Sequence, residues 1–525
     1  MTSSLSLTQS TRKTVIETAG GVVASQHRLA AEAGAEVLRA GGDAVDAAVA
    51  CSFVVGVLEP WMSGPAGGGA ALHWRADTGE AVAINFGMRS PKGLRIEDYP
   101  LSGEGKAGDL FPWERVTEDR NVQGAKAIAV PGTVDGLGQA HDRWGRMPWS
   151  DLLQPAIARA REGMLVDWYA ALLIASSARD LAKDADAAAL FLDEGQWPKG
   201  SGWTAIPENR LDQSRLADSL DILARGGARA FHEGDLAQAM ARDVQDKGGS
   251  LSAQDLAGYR AWMGAPLRVD YRDAAYHVMP GLTAGPTFAH VMAELEGADL
   301  SSDPATYAAY ANGLRAAYAA RLGKMGDTGE VPEAPGCTTH FSVVDRAGNM
   351  VSHTQTLLSI FGSRVVSPTT GFLMNNGIMW FDPEQGKPNS LGPDKACLMN
   401  VCPILGEQGG RRFAIGASGG RKIVGAVAQL ASFMVDKGMS LEQAFHHPRI
   451  DVSGGDAVIA DDTLSAAVLE RLAADAPLRT TRRSVLPYAF ACPAGVLRDA
   501  GRNSGCTEIM SPWGDAALED GEKTE

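Results

Sequence analysis

The spacing of hydrophobic positions changes character several times along the chain. Leu29, Ala33, Val37 and Leu38 recur at helical spacing within residues 26–40, and Gly41-Gly42 then stops that helix. Asp43 stands where it can cap a second helix over 44–57, which is apolar nearly all round and is therefore expected to be buried. Glu59-Pro60 ends it, and the run Ser63-Gly64-Pro65-Ala66-Gly67-Gly68-Gly69 is too glycine-rich for regular structure. Ala70 to Phe86 alternates with the period of strands. Residues 148–325 are alanine-rich with periodic Leu and Ile, and read mainly as helices. Residues 326–337 (GDTGEVPEAPGC) have no period and read as an exposed, mobile connector.

At Thr338 the texture switches. Residues 339–345 and 350–356 read as two strands around the short turn Arg346–Asn349. Residues 365–374 and 412–417 look like further strands, and Gly419-Gly420 precede an apolar helix from Ile423 to Val435. The last fifteen residues are polar and are expected to be frayed.

Composition narrows the function. A net charge of −15 argues against partners such as nucleic acid or an anionic membrane surface. The six cysteines show no CxxC spacing, so neither a zinc site nor a redox motif is indicated, and they are expected to be reduced packing residues. No run of 18 apolar residues suggests a membrane span, and the first 21 residues lack the apolar core of a secretory signal, so the expected location is cytoplasmic. The Ser63–Gly69 loop lacks both the GK[ST] ending and the GxGxxG spacing of nucleotide loops, and is expected to be a packing turn.

The connector that runs straight into Thr338 suggests a chemistry. A threonine hydroxyl is unreactive at neutral pH without a nearby base. A backbone amine, with a reference pKa of roughly 7.7–8.0, can be that base if the chain is cut just before the threonine. Many loops meet strands at Thr, so the layout alone does not decide it.

The motifs around it do more. Thr338-Thr339-His340-Phe341-Ser342-Val343-Val344-Asp345, with Gly348-Asn349 and Phe361-Gly362-Ser363, resembles the core motif of the γ-glutamyltranspeptidase family. Further landmarks of that family follow in order: Ala24-Ser25-Gln26-His27, Gly41 to Ala48, Ser63 to Gly69, Val130-Pro131-Gly132, Asn375-Asn376 and Gly419-Gly420. The resemblance spans about residues 20 to 450, with a weaker tail to about 517. It implies an α/β fold, the four-layer αββα sandwich of N-terminal-nucleophile hydrolases. It implies autocatalytic cleavage between Cys337 and Thr338, giving a large subunit (1–337) and a small one (338–525) intertwined as one domain. Thr338 would be the nucleophile and its freed amine the base. Thr356 would hydrogen-bond the nucleophile, and the N–H groups of Gly419 and Gly420 would form the oxyanion hole. No metal or organic cofactor is implied. The partners would be a small-molecule amide with a water or amine acceptor, and a homo-oligomer of the two-subunit unit is left open. His340 and His353 look like bases, yet the family chemistry uses no histidine there, and both are expected to be structural.

The donor pocket departs from the family. The family's carboxylate-binding Arg falls at Gly87, with Arg89 two residues on, on the same side if the backbone is extended. The acidic residue for the donor amine falls at Trp380, with Asp382 two further on. The family's Asn after the second Thr is Leu358, and its paired serines are Met399 and Asn400. Arg89, Asn376, Trp380, Asp382, Met399 and Asn400 are thus the candidate donor-pocket residues. The substrate expected from the family is a γ-glutamyl amide such as glutathione. The less polar pocket raises the alternative of a non-glutamyl amide, a side-chain acyl or oxamate-like group, because burying a zwitterion without paired charges costs several kcal/mol. A non-catalytic homologue is the third alternative.

Overall fold

The computed structural model describes residues 11–107, 113–200, 204, 206–325, 336–453, 455–486 and 488–521. Two antiparallel sheets carry the fold, with strands β1 Val22–Ser25, β2 Gly68–Arg75, β3 Glu80–Phe86, β4 Trp262–Gly264, β5 Leu267–Tyr271, β6 Ala274–Val278, β7 Gly336–Val344, β8 Met350–Ser359, β9 Ile404–Gln408, β10 Arg411–Ser418, β11 Cys492–Asp499, β12 Arg502–Thr507 and β13 Asp515–Leu518. The seven-stranded sheet runs β4-β3-β2-β8-β7-β1-β13 and the six-stranded sheet runs β5-β6-β9-β10-β11-β12. Residues on both sides of Thr338 contribute strands to both sheets.

Three separate apolar layers show the stacking. Ala24, Ala70, Leu72, Val344 and Met350 of the first sheet meet Leu405, Ala414, Ala494 and Val496 of the second in a core between the sheets. The opposite face of the first sheet (Val23, Ala71, Ile84, Phe341, Val343) packs on helices α1 Arg28–Arg39 and α2 Ala44–Leu58. The opposite face of the second (Tyr276, Val278, Phe413, Ile415) packs on α3 Gly285–Glu296, α4 Asp303–Met325 and α5 Lys422–Val435. This is the four-layer αββα sandwich, and it follows from the period of the strands: alternate side chains leave opposite faces, and both faces of each sheet are apolar.

The helices near the site form where the pattern places them. Asp43 makes a capping box with Asp46 at the start of α2, and every residue of α2 is buried, as its all-round apolar pattern requires. Both carboxylate oxygens of Asp46 also accept the single backbone N–H of Arg146 at 3.1 Å, which ties α2 to the connection after residue 144.

Several expectations need correction. Residues 365–374 are turns held by the single bridge Val366–Leu373, not a strand. The tail is not frayed over its described part: β13 pairs with β1, Val22 opposite Leu518 and Ser25 opposite Asp515, so it is the edge of the first sheet. The helical stretch 148–325 also contains β4, β5 and β6; exposed residues hide the strand signal of β4 and β5, and β6 is largely buried but only five residues long. Residues 326–335 of the connector lie outside the described residues. Cys51, Cys397, Cys402, Cys492 and Cys506 are free and buried, in line with a packing role.

Removing residues 515–525 takes away β13 and leaves the N–H and C=O groups of β1 unpaired along that edge. The truncated protein is expected to melt at lower temperature and to aggregate more readily, measured by calorimetry and light scattering.

Candidate active site

The site is built on the central strand pair. β7 and β8 pair antiparallel, with Thr339 opposite Gln355 and His340 opposite Thr354. The register slips between Cys337 and Thr339, so Thr338 sits on a bulge that re-aims it at the end of the strand. Thr338 is buried, and its Oγ1 lies 3.3 Å from Oγ1 of Thr356. Thr356 Oγ1 also accepts the N–H of Leu358 at 2.8 Å. Leu358 takes φ +87, a region costly for a non-glycine residue, by roughly 1–3 kcal/mol. The chain thus bends just after Thr356 in a way that turns a backbone donor onto its hydroxyl.

The Ser63–Gly69 run packs against this pair. Gly68 and Gly69 start β2 opposite Thr356 and Gln355, and a Cβ on Gly67 would collide with the carbonyl oxygen of Thr356. Gln355 reaches back to the Ser63 hydroxyl at 3.0 Å. The loop's glycines therefore serve close backbone approach, in line with a packing turn.

Gly419 and Gly420 follow β10 directly, with φ +127 and +59. A side chain at Gly419 would need that left-handed backbone and would meet Ala491 Cα at 3.0 Å. Their carbonyls accept the N–H groups of Lys422 and Ile423 as α5 begins, which leaves their own amides at the electropositive end of that helix.

Both histidines are locked in place. His340 contacts Thr354 Oγ1 at 2.8 Å and Ser342 Oγ at 2.9 Å. His353 stacks on Phe341 and Phe86 and contacts Gln355 Oε1 at 3.1 Å. Burial holds both rings neutral, lowering His353 to about 3 and His340 well below the ordinary histidine value.

The sequence model of the γ-glutamyltranspeptidase family matches residues 30–335 and 329–485. The acylase ACY 1 proenzyme of Pseudomonas sp. (strain V22) is 34% identical over 477 residues, covering 83% of this chain and 83% of the relative. The glutathione hydrolase proenzyme of Bacillus subtilis (strain 168) is 31% identical over 510 residues, covering 86% of this chain and 84% of the relative. The chain belongs to the γ-glutamyltranspeptidase family. Its fold is shared with the crystal structure of cephalosporin acylase from Bacillus halodurans, at TM-score 0.84 and 24% identity over 99% of this chain and 100% of the other.

Within a transpeptidase-family chain the donor-pocket positions are unusual. Arg89 does extend beside Val130 and Ala396, but its guanidinium is half exposed and donates to Asp394, to the carbonyl at 2.6 Å and to the carboxylate at 3.1 Å. The space beside Gly87 is filled by Met399, whose methyl would stand 2.6 Å from a Cβ placed there. The segment from Gly377 to Trp380 is a 3-10 turn rather than an extended strand, and the chain is extended again at Phe381, between Trp380 and Asp382. Trp380 is buried with Leu358, Met379 and Met399. Asp382 Oδ1 caps the N–H of Glu384 at 2.9 Å, and burial pushes its carboxyl up.

Asn376 corrects another expectation. Its Oδ1 accepts the Ser359 N–H at 2.9 Å and its Nδ2 donates to Val122 O and Ser359 Oγ at 2.8 Å each, so its amide is committed to the frame and not to a substrate. Asn375 likewise ties Ala66 and Ala129 together. Three of the candidate positions end instead in buried polar atoms with no partner among the described residues: Trp380 Nε1, Asp382 Oδ2 and Asn400 Nδ2. Sequence reasoning missed Arg321, which is buried and donates to Met399 O at 2.9 Å and Asn400 Oδ1 at 3.2 Å. That bond forces the Asn400 NH2 to point the other way. Nothing in a helix of Ala and Tyr marks this arginine in advance.

A depressed histidine pKa means that His353 supports the fold fully above the ordinary value near 6.5, and that support is lost as pH falls toward 3. Its ring NMR signals are expected to stay unshifted from pH 9 to pH 5. Titration within that range would contradict the structural role.

Proposed function

We propose that this chain is a self-cleaving N-terminal-threonine amidase that transfers an acyl group from an amide to water or an amine through Thr338. The observation that carries the reading is the meeting of a bulged Thr338 with the Thr356 hydroxyl on the central strand pair. Cleavage between Cys337 and Thr338 frees the amine that takes the Thr338 proton. Thr338 Oγ then attacks the amide carbonyl, while Thr356, already accepting the Leu358 N–H, turns its own proton to the reacting oxygen. The oxyanion of the tetrahedral intermediate is received by the N–H groups of Gly419 and Gly420, donors of a kind worth about 10²–10³ in rate. Collapse expels the amine with the proton held by the Thr338 ammonium, and the acyl-enzyme is released by water or an acceptor amine. The two pieces stay interleaved, since each supplies strands to both sheets.

The acyl group we infer is not a glutamyl zwitterion. Arg89 is engaged with Asp394, Met399 fills the place beside Gly87, and Trp380 and Leu358 make the wall apolar. Among the described residues, an α-carboxylate would meet an Arg89 already paired with Asp394 and an Arg321 already spent on Met399 O and Asn400 Oδ1. The unpartnered Asn400 Nδ2 and Trp380 Nε1 suit a neutral acceptor, such as the carbonyl of a side-chain acyl group. The similarity to an acylase proenzyme at 34% identity supports this reading. A second reading, γ-glutamyl amides such as glutathione, is favoured by the open Oδ2 of Asp382, which could take an ammonium, and by the 31% identity to a glutathione hydrolase proenzyme.

Two outcomes are expected. The 55.1 kDa chain separates on a denaturing gel into pieces of about 35 and about 20 kDa, the smaller beginning at Thr338, whereas Thr338→Ala stays whole. A mature fragment starting elsewhere overturns the nucleophile. With p-nitroanilides, kcat/KM for a neutral acyl group is expected to exceed that for γ-glutamyl by at least about tenfold, the effect of one unpaired buried group at roughly 1–3 kcal/mol. A preference for γ-glutamyl restores the glutathione reading.

A further inference from the structure

Glu59 takes no part in the reaction just described, yet it lies against the nucleophile strand. It follows the last turn of α2, is buried, and its Oε2 lies 2.8 Å from Oγ1 of Thr339, the neighbour of Thr338. Thr339 sits on the face of β7 toward α2, while His340 points into the second sheet at Gly416. Glu59 is thus behind the nucleophile and does not touch substrate. The titratable groups facing it are the thiols of Cys51 on α2 and Cys492 on β11, both pushed up by burial, with Lys13 and Glu508 beyond Cys492.

The hydrogen bonds continue from Thr339. Gln26 Oε1 lies 3.3 Å from Thr339 Oγ1, and Gln26 Nε2 donates to Ser418 Oγ at 2.7 Å and to Cys492 O at 2.6 Å. Ser418 is the residue before Gly419-Gly420. The Cys492 carbonyl can only accept, so the Gln26 amide orientation is settled and its oxygen must face Thr339. The single Thr339 hydroxyl proton then stands between two acceptors, Gln26 Oε1 and Glu59 Oε2. With Glu59 ionised, one of those contacts is lone pair against lone pair. With Glu59 protonated, its O–H donates to Thr339 Oγ1, Thr339 donates to Gln26, and every contact holds a proton.

We propose that Glu59, acting through Thr339 and Gln26, is a positioning residue whose protonated form ties the nucleophile strand to the Gly419–Gly420 loop. Losing its proton loosens the loop relative to Thr338, which lowers kcat while leaving substrate binding in place. In the uncut chain, where no cation pairs with Glu59 among the described residues, burial pushes its carboxyl up to about 7, so the change falls near neutrality; after cleavage the Thr338 amine is the added titratable group, one residue from Thr339. The tie is complete below that pH and is lost as pH rises through it.

This inference rests on the acyl-transfer reading, and the test keeps the two apart. Mature wild type, Glu59→Gln and Thr339→Val are compared with the p-nitroanilide that wild type cleaves fastest, from pH 5 to 9. Wild-type kcat is expected to carry a component that falls with rising pH near 7 at constant KM. Glu59→Gln, whose amide donates to Thr339 at every pH, is expected to lack that component. Thr339→Val is expected to lower kcat about tenfold across the range with KM within about twofold, as for one broken buried hydrogen bond. A Glu59→Gln profile that superimposes on wild type overturns the proposal. If Glu59→Gln does not accumulate, wild-type infrared difference spectra between pH 6 and 8 decide it: loss of a buried protonated-carboxyl band supports the proposal, and no such band at pH 6 overturns it. A wild type that is not cut before Thr338 overturns the function reading instead.

Discussion

The arrangement depends on a hydroxyl being held at the end of a central strand between two packed sheets. β7 cannot shift, because it is paired on both sides, by β1 and β8, and covered on both faces. The bulge after Cys337 is the one irregularity in its pairing with β8, and it delivers Thr338 to Thr356. Flanking features serve that pair. Glycines at 67–69 let β2 close against Thr356, and the positive φ of Leu358 turns an amide onto it. A neutral His353 in the adjoining core adds packing without charge.

The donor side looks rebuilt as a unit. Gly87 and Met399 occupy two positions where the family pattern has charge or hydroxyl, and they touch each other. A small residue opposite a long flexible one keeps the volume filled, which is how cores accept exchange without a cavity. Arg321 then holds the backbone of Met399 and the side chain of Asn400 from behind. The result is a buried apolar cluster of Leu358, Trp380 and Met399 with a few oriented polar atoms at its margin. Relatives named as an acylase and as a glutathione hydrolase both align over more than four fifths of this chain, so one fold carries both names.

Much of this was legible beforehand. The buried helix α2, its Asp43 cap, the β7–β8 hairpin around Arg346–Asn349 and the helix after Gly419-Gly420 all follow from local period and caps. The misses share a cause. β13 and β4 to β6 are short or exposed on one side, so their strand character comes from the partner they meet and not from their own residues. Which groups the Asn375-Asn376 pair would hold was not readable, because both amides are spent on backbone distant in sequence.

The sequence by itself determined the local elements, the switch from connector to strand at Thr338 and the glycines around it, since these are set by period, punctuation and local motif; the layered class came with the family resemblance. Tertiary structure alone decided which way Arg89 turns, that Asn376 belongs to the frame, that Arg321 orients Asn400, and that Glu59 meets Thr339 across 280 residues of chain. The physical reason is that a side chain's partner is a matter of distance in space. Hydrogen bonds and packing act over a few ångströms, and neither their direction nor their competition for one proton is written in the spacing of residues along the chain.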